Sequence, residues 1–335
     1  MEKNDLRILT KMGCLLLLLT ITFVPVTGVA APAKAIELKA ISFLPAMATK
    51  TKLLKQFCSK VEEASKGELS IKVLGGPEVI GVMEQGQALS RGVVDMAMFP
   101  PAFLSGMAPE SVVTLLTRIT QEEEIKRGVI EKLQPFYNKA NIYCLGEIFG
   151  VNDPQFMIHT IKKVERPQQL ASMSIGGTGP LVKPVADALG FDLKVIPLSD
   201  AYTALERKVV EGWLSTAVGV VSFGAQDLLK FGIDHAFFAD YVVVAMNLNK
   251  WKGLPANLQN ILHNTLINMA PELGRINNED EIKARKVFRD AGLQYVKFSS
   301  TDAEWFLNTV YDAMWKNWEK QMPRTVPELR KLLTP

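Results

Sequence analysis

The sequence is poor in the residues that build metal, haem and disulfide frameworks. Three cysteines in 335 residues exclude a disulfide-dense scaffold. The three histidines, His159, His235 and His263, have no second histidine or cysteine at ligand spacing, so a zinc or haem site is not expected. Neither a G-x-S-x-G elbow nor an H-E-x-x-H helix occurs, and sequence alone leaves open only a Cys–His nucleophile pair brought together in space. A surplus of one charge is missing too. The 38 basic residues are scattered among 35 acidic ones for a net charge of +3, which is not the footprint of a nucleic-acid binder. Long apolar runs are confined to one, residues 14–26.

That run, CLLLLLTITFVPV, follows Lys3, Arg7 and Lys11 and precedes the small residues GVAAPAKA, the three regions of a secretory signal peptide. Its thirteen residues fall short of the roughly 20 that a spanning helix needs. Cleavage is expected after Ala30 or Ala31, so residues 1–31 are assigned to the signal and the mature chain is exported with a charge near +2. Cys14 opens the apolar run rather than closing it, which disfavours lipidation. Cys58 and Cys144 sit among apolar neighbours and read as buried small hydrophobes, not as a disulfide. With 48% hydrophobic and 22% charged residues, the remainder has an ordinary globular composition and the length for a substantial core.

Helical and strand periods alternate along the mature chain, which predicts open α/β sheets. Leu53, Leu54, Phe57, Val61 and Ala64 share one helical face, and ELSIKVL alternates as a strand. One amphipathic helix is expected over 122–140, weakened by Gly128. VVEGW, 209–213, reads as a short strand. A long helical region is expected over 255–291, with a kink at Pro271 and Gly274. The loop GGTG, 176–179, lies between a strand and a helix. Val182 stands where the dinucleotide fingerprint needs its third glycine, so that reading is weak. Two readings stay open: a tight turn with Pro180 at the first helical position, or glycine backbone N–H groups presented to an anion.

Three stretches together resemble the solute-binding proteins of tripartite ATP-independent periplasmic (TRAP) transporters, the DctP-like family. KGELSIKVLGGPEVIGVMEQGQALSRGVVDMAMF, 66–99, is similar to the family's strand, glycine–proline turn, polar helix and G-x-V-D-M. PLSDAYTALERKVVEGW, 197–213, is close to Y-x-A-L-x-x-G-x-V-D-G. MNLNKWKGLPANLQNIL, 246–262, resembles N-x-x-x-W-x-x-L-P-x-x-x-Q. The resemblance implies a two-lobed periplasmic binding protein fold (type II-like), each lobe an open α/β sheet, with a long helix spanning both. It places one lobe at 36–152 and 240–280 and the other at 153–239 and 281–335. It further implies a small organic solute held in the cleft and delivered to TRAP membrane subunits, with no cofactor, no metal and no catalysis. A periplasmic sensor subunit on the same fold is the alternative, and an exported hydrolase is a more distant one.

The departures from the family pattern bear on the ligand. An arginine usual in the family's K-I-R-V strand, which would pair bidentately with a carboxylate, falls at Ile175, Gly176 or Gly177. A second falls at Asn152. Glu211 stands for the usual aspartate before Gly212, and Thr216 for a proline after the polar contact Ser215. The positions carried over make Phe43, Phe99, Pro100, Leu198 and Trp213 the expected walls, with Phe99 and Trp213 facing the cleft. Without its arginines the site is expected to take a larger, less charged solute, unless the GGTG backbone, Lys183 or Arg118 supplies the missing positive charge.

Overall fold

A computed structural model describes residues 35–149 and 154–335. The expected signal peptide, 1–31, and Asn152 lie outside the described residues. The first part of the chain runs β1 (Ile36–Ser42), α1 (Thr49–Ala64), β2 (Leu69–Val73), α2 (Gln85–Arg91), β3 (Met96–Phe99), α3 (Gln121–Arg127), α4 (Val129–Lys139) and β4 (Ile142–Glu147). Next come β5 (Met157–Thr160), β6 (Ser174–Gly177), α5 (Lys183–Leu189), β7 (Asp192–Val195), α6 (Ala201–Glu206), β8 (Gly212–Ser215), α7 (Ala217–Ser222) and β9 (Phe231–Ile233). The chain continues with β10 (Val243–Asn247), α8 (Leu248–Gly253) and α9 (Ala256–Asp290), and ends with β11 (Gln294–Val296), α10 (Ser300–Gln321) and α11 (Val326–Leu333).

Two sheets result. The first has the order β2-β1-β3-β10-β4, in which β1 is parallel to β2 and β3 while β10 runs antiparallel between β3 and β4. The second has the order β11-β9-β5-β8-β6-β7, with β6 parallel to both β7 and β8. The late strand β10 thus returns to the first sheet, and the late strand β11 to the second. Strand β3 is buried along its whole length, so it reads as a continuous apolar run rather than an alternating one.

Helix α1 buries Leu53, Leu54, Phe57, Cys58 and Val61 at spacings of three and four, but Ala64, in its last turn, is exposed. Cys58 and Cys144 are free and buried, and desolvation pushes both thiols up to about 12, so they are inert packing groups. Helix α9 has 35 residues, about 50 Å at 1.5 Å per residue. Leu258 to Leu273 belong to the core of the first sheet, and Ala284 and Phe288 to that of the second, so this helix spans both.

Local expectations fail where glycine, proline or a helix end intervenes. The helix expected over 122–140 is two, because Gly128 adopts φ +66° and closes α3 as a left-handed cap before α4 begins. Pro271 does not break α9; it faces solvent, and the carbonyl it leaves unbonded belongs to Ile267, which is half exposed. Strand β8 starts at Gly212 rather than Val209. The N–H groups of Val209 and Val210 both turn back to the Ala204 carbonyl and finish α6 instead. Strand β9 and helix α11 carried too short a pattern to be expected from sequence.

Candidate functional site

Ligands of open α/β sheets sit outside the carboxyl ends of the strands. In the second sheet β6, β7 and β8 are parallel, so Gly177, Val195 and Ser215 end on one edge. In the first, β3 ends at Phe99 and runs into Pro100 and a 3-10 turn, Pro101–Leu104. Residues following β3 and β6 line a common cavity of about 660 Å³. That volume falls within the range of small-molecule sites, roughly 300–1,000 Å³.

The cavity has two unlike walls. One is apolar: Phe103, Leu115, Phe156, Leu214 and Phe238 line it. Phe156 and Phe238 pair across the two segments that connect the sheets. Phe103 is braced from behind by Phe43, edge to face with ring centroids 6.2 Å apart, and by the buried Phe99 at 6.5 Å. The other wall is formed by α5 and the end of α10, which pack together. It presents Lys183 and Asp187, Asn317 and Gln321, with Trp318 among them. Lys183 and Asp187 are the charged lining residues, and they are ion-paired to each other one helical turn apart. Such an exposed pair contributes only a few tenths of a kcal/mol. Among the described residues the cavity therefore has both signs of charge on one wall and no net charge.

Strand parity decides which of the expected residues reach it. Successive side chains on a strand point to opposite faces. Leu214 lines the cavity, so Trp213, its neighbour on β8, points away. The expectation that Trp213 faces the cleft is corrected accordingly: its indole is fully buried among Leu205, Ala217, Val220 and Phe288, with an edge-to-face contact to Phe223. Gly177 lines the cavity and Gly176 does not. A Cβ at Gly176 would lie 2.2 Å from Trp213 Cε3, so the indole already fills the space into which a side chain at 176 would project. Pro100 is on the wall, whereas Phe99 is fully buried behind Phe103 and also leaves the expected wall. Phe43 is half-buried and contributes through Phe103. Leu198 and Ser215 stand at the same strand-end edge but off the cavity wall, and Leu198 is exposed. The two basic candidates separate. Lys183 is on this wall, while Arg118 lines a different cavity with Tyr311, over whose ring its guanidinium sits at 5.1 Å.

Phe103, Leu115, Leu214, Phe238 and the α10 residues were missed in the sequence. The aromatic doublet Phe237-Phe238 and the Pro100-Pro101 step before Phe103 were available signals. Nothing local marks one turn of α10 as facing a cavity.

The face carrying Trp213 is polar but closed. His159 lies directly opposite Trp213 in the β5–β8 ladder and packs against Phe288, the two rings tilted with centroids 5.0 Å apart. Burial, with the nearby Arg285 charge, drives the imidazole down to about 3, so it is neutral. Glu281 of α9 accepts the Ala217 and Val218 N–H groups at 3.3 Å and pairs with Arg285 at 3.2 Å, while burial raises its carboxyl. Arg285 reaches on to Asp234 at 2.9 Å. These contacts tie α7, α9 and the segment after β9 together, which positions the strand ends on the other face.

The DctP family model, described as bacterial extracellular solute-binding protein, family 7, matches residues 42–321. The chain belongs to this family, and the resemblance read from its three stretches is established. A solute-binding protein of Albidiferax ferrireducens is 19% identical over 275 residues, which are 80% of this chain and 80% of the relative. A TRAP periplasmic solute-binding protein from Desulfovibrio salexigens, solved with bound orotic acid, superposes with a TM-score of 0.79 at 17% identity, covering 89% of this chain and 97% of that one. Another from Rhodoferax ferrireducens, with bound malonate, gives 0.75 at 18% identity, covering 88% and 98%. The fold is the two-lobed α/β fold of these proteins. Among the described residues no helix is long and apolar enough to cross a membrane.

Proposed function

We propose that this protein is the extracytoplasmic solute-binding subunit of a TRAP-type secondary transporter. It captures one small organic solute between two lobes, 36–152 with 240–280 and 153–239 with 281–335, and delivers it to the membrane permease without chemical change. The observation that carries this reading is the cavity beyond the carboxyl ends of β3 and β6, roomy enough for a small molecule and largely apolar. Relatives of the same fold bind orotic acid and malonate, which supports a small organic solute here.

The solute differs from a dicarboxylate. Among the described residues the charged lining residues are Lys183 and Asp187, which neutralise each other, and Gly176 has no room for an arginine beneath Trp213. An uncompensated carboxylate buried here would cost about 3–5 kcal/mol, which disfavours malonate-like ligands. The test is native mass spectrometry of the protein purified without unfolding, beside a Phe103→Asp variant that places a charge on the apolar wall. One small retained mass in the wild type, absent from the variant, is expected. No retained mass and no stabilisation by any member of a broad solute set contradicts the reading.

A further inference from the structure

We infer that the cavity selects a zwitterionic amphipathic solute, its charged head group on the α5–α10 wall and its apolar body against Phe103 and Leu115. This rests on the solute-binding reading and goes beyond it by fixing the head-group chemistry and the residues that read it. Three observations converge. First, Lys183 and Asp187 present opposite charges side by side on one wall, each more than half exposed at 61% and 63%, so a ligand can reach both. Second, Asn317 and Gln321 stand one turn apart on α10, next to α5, and neither side-chain amide has a hydrogen-bond partner among the described residues. Third, the described residues of the facing wall offer no charge, and their aromatic and aliphatic groups suit a branched or aromatic body.

A zwitterion matches this wall group for group. Its carboxylate takes the Lys183 ammonium and an amide N–H, and its ammonium takes the Asp187 carboxylate and an amide carbonyl. Each charge then keeps a partner, and the surrendered Lys183–Asp187 contact is a weak one. A pure anion gains Lys183 but leaves Asp187 stripped of its partner and facing it. A pure cation has the mirror-image problem.

One carbon skeleton in three charge states tests this: L-phenylalanine, 3-phenylpropionate and 2-phenylethylamine, titrated by calorimetry at pH 7 into protein stripped of resident solute by unfolding and refolding. L-phenylalanine is expected to bind at least about 100-fold more tightly than either singly charged analogue. Lys183→Gln, Asp187→Asn and the double variant N317A/Q321A are each expected to weaken it by about tenfold at unchanged melting temperature. Equal or tighter binding of 3-phenylpropionate overturns the inference, as does indifference to all three variants. If none of the probes binds while the unstripped protein retains a solute by mass spectrometry, the head-group assignment fails and the solute-binding reading stands. If neither binding nor retention is seen, both fail.

Discussion

The second sheet has one face on a cavity and one under a helix, and adjacent residues of the same short strands serve both. Gly177 and Leu214 look into the cavity, where two walls of unlike polarity leave room for a solute. Gly176 and Trp213 look the other way, where His159, Phe288 and the Glu281–Arg285 pair are closed over by α9. The covered face holds the strands in register; the open face uses their ends. A shift of one residue exchanges the two sets, so the account can be broken by showing that either set acts on the wrong side.

The largest effect is expected from Trp213→Ala. Losing a fully buried indole should cost about 3–5 kcal/mol in urea unfolding and leave solute affinity nearly unchanged. A loss of affinity without loss of stability would move Trp213 to the cavity side. Next is the acid response of the covered face. The folded imidazole of His159 is held at about 3 against an ordinary value of 6.5, so the neutral form is favoured by folding. Its contribution is complete above about pH 6.5 and is lost as pH falls toward 3, by on the order of 4 kcal/mol across that window. Stability measured against pH should therefore fall less steeply in His159→Leu than in the wild type; parallel curves would refute this placement.

A smaller change on the same face sharpens the steric claim. In Gly176→Ala the new methyl meets the Trp213 ring, and melting should reveal a cost of about 1–3 kcal/mol. On the open face the sign of the comparison reverses. Phe103→Ala removes an aromatic from a half-buried wall position, so unfolding should change little while calorimetry registers about 1–3 kcal/mol of lost affinity.

The architecture was readable because its signals are long. The helical stripe of α1, the buried run of β3 and the three family-like stretches each span many residues, and periodicity averages well over such lengths. The site was less readable because it turns on single residues. Trp213 was taken for a cleft residue because the strand was expected to run 209–213 and to end there, leaving the indole where the chain leaves the sheet. The α6 carbonyl of Ala204 holds Val209 and Val210 instead, and the strand's short ladder, starting at Gly212, sends Leu214 to the cavity. Lys183 was recognisable as a basic residue beside GGTG. Its neutralisation by Asp187, and its apposition to Asn317 and Gln321 far along the chain, depend on how α5 meets α10, for which no local pattern exists.

The central claim is that, among the described residues, the proposed cleft lacks a free positive charge for a dicarboxylate. Calorimetric titration of succinate into solute-free protein at pH 7 tests it most directly. The account predicts a Kd on the order of millimolar or weaker. Micromolar binding would contradict it and would require a cationic side chain to enter a cavity whose charges here cancel.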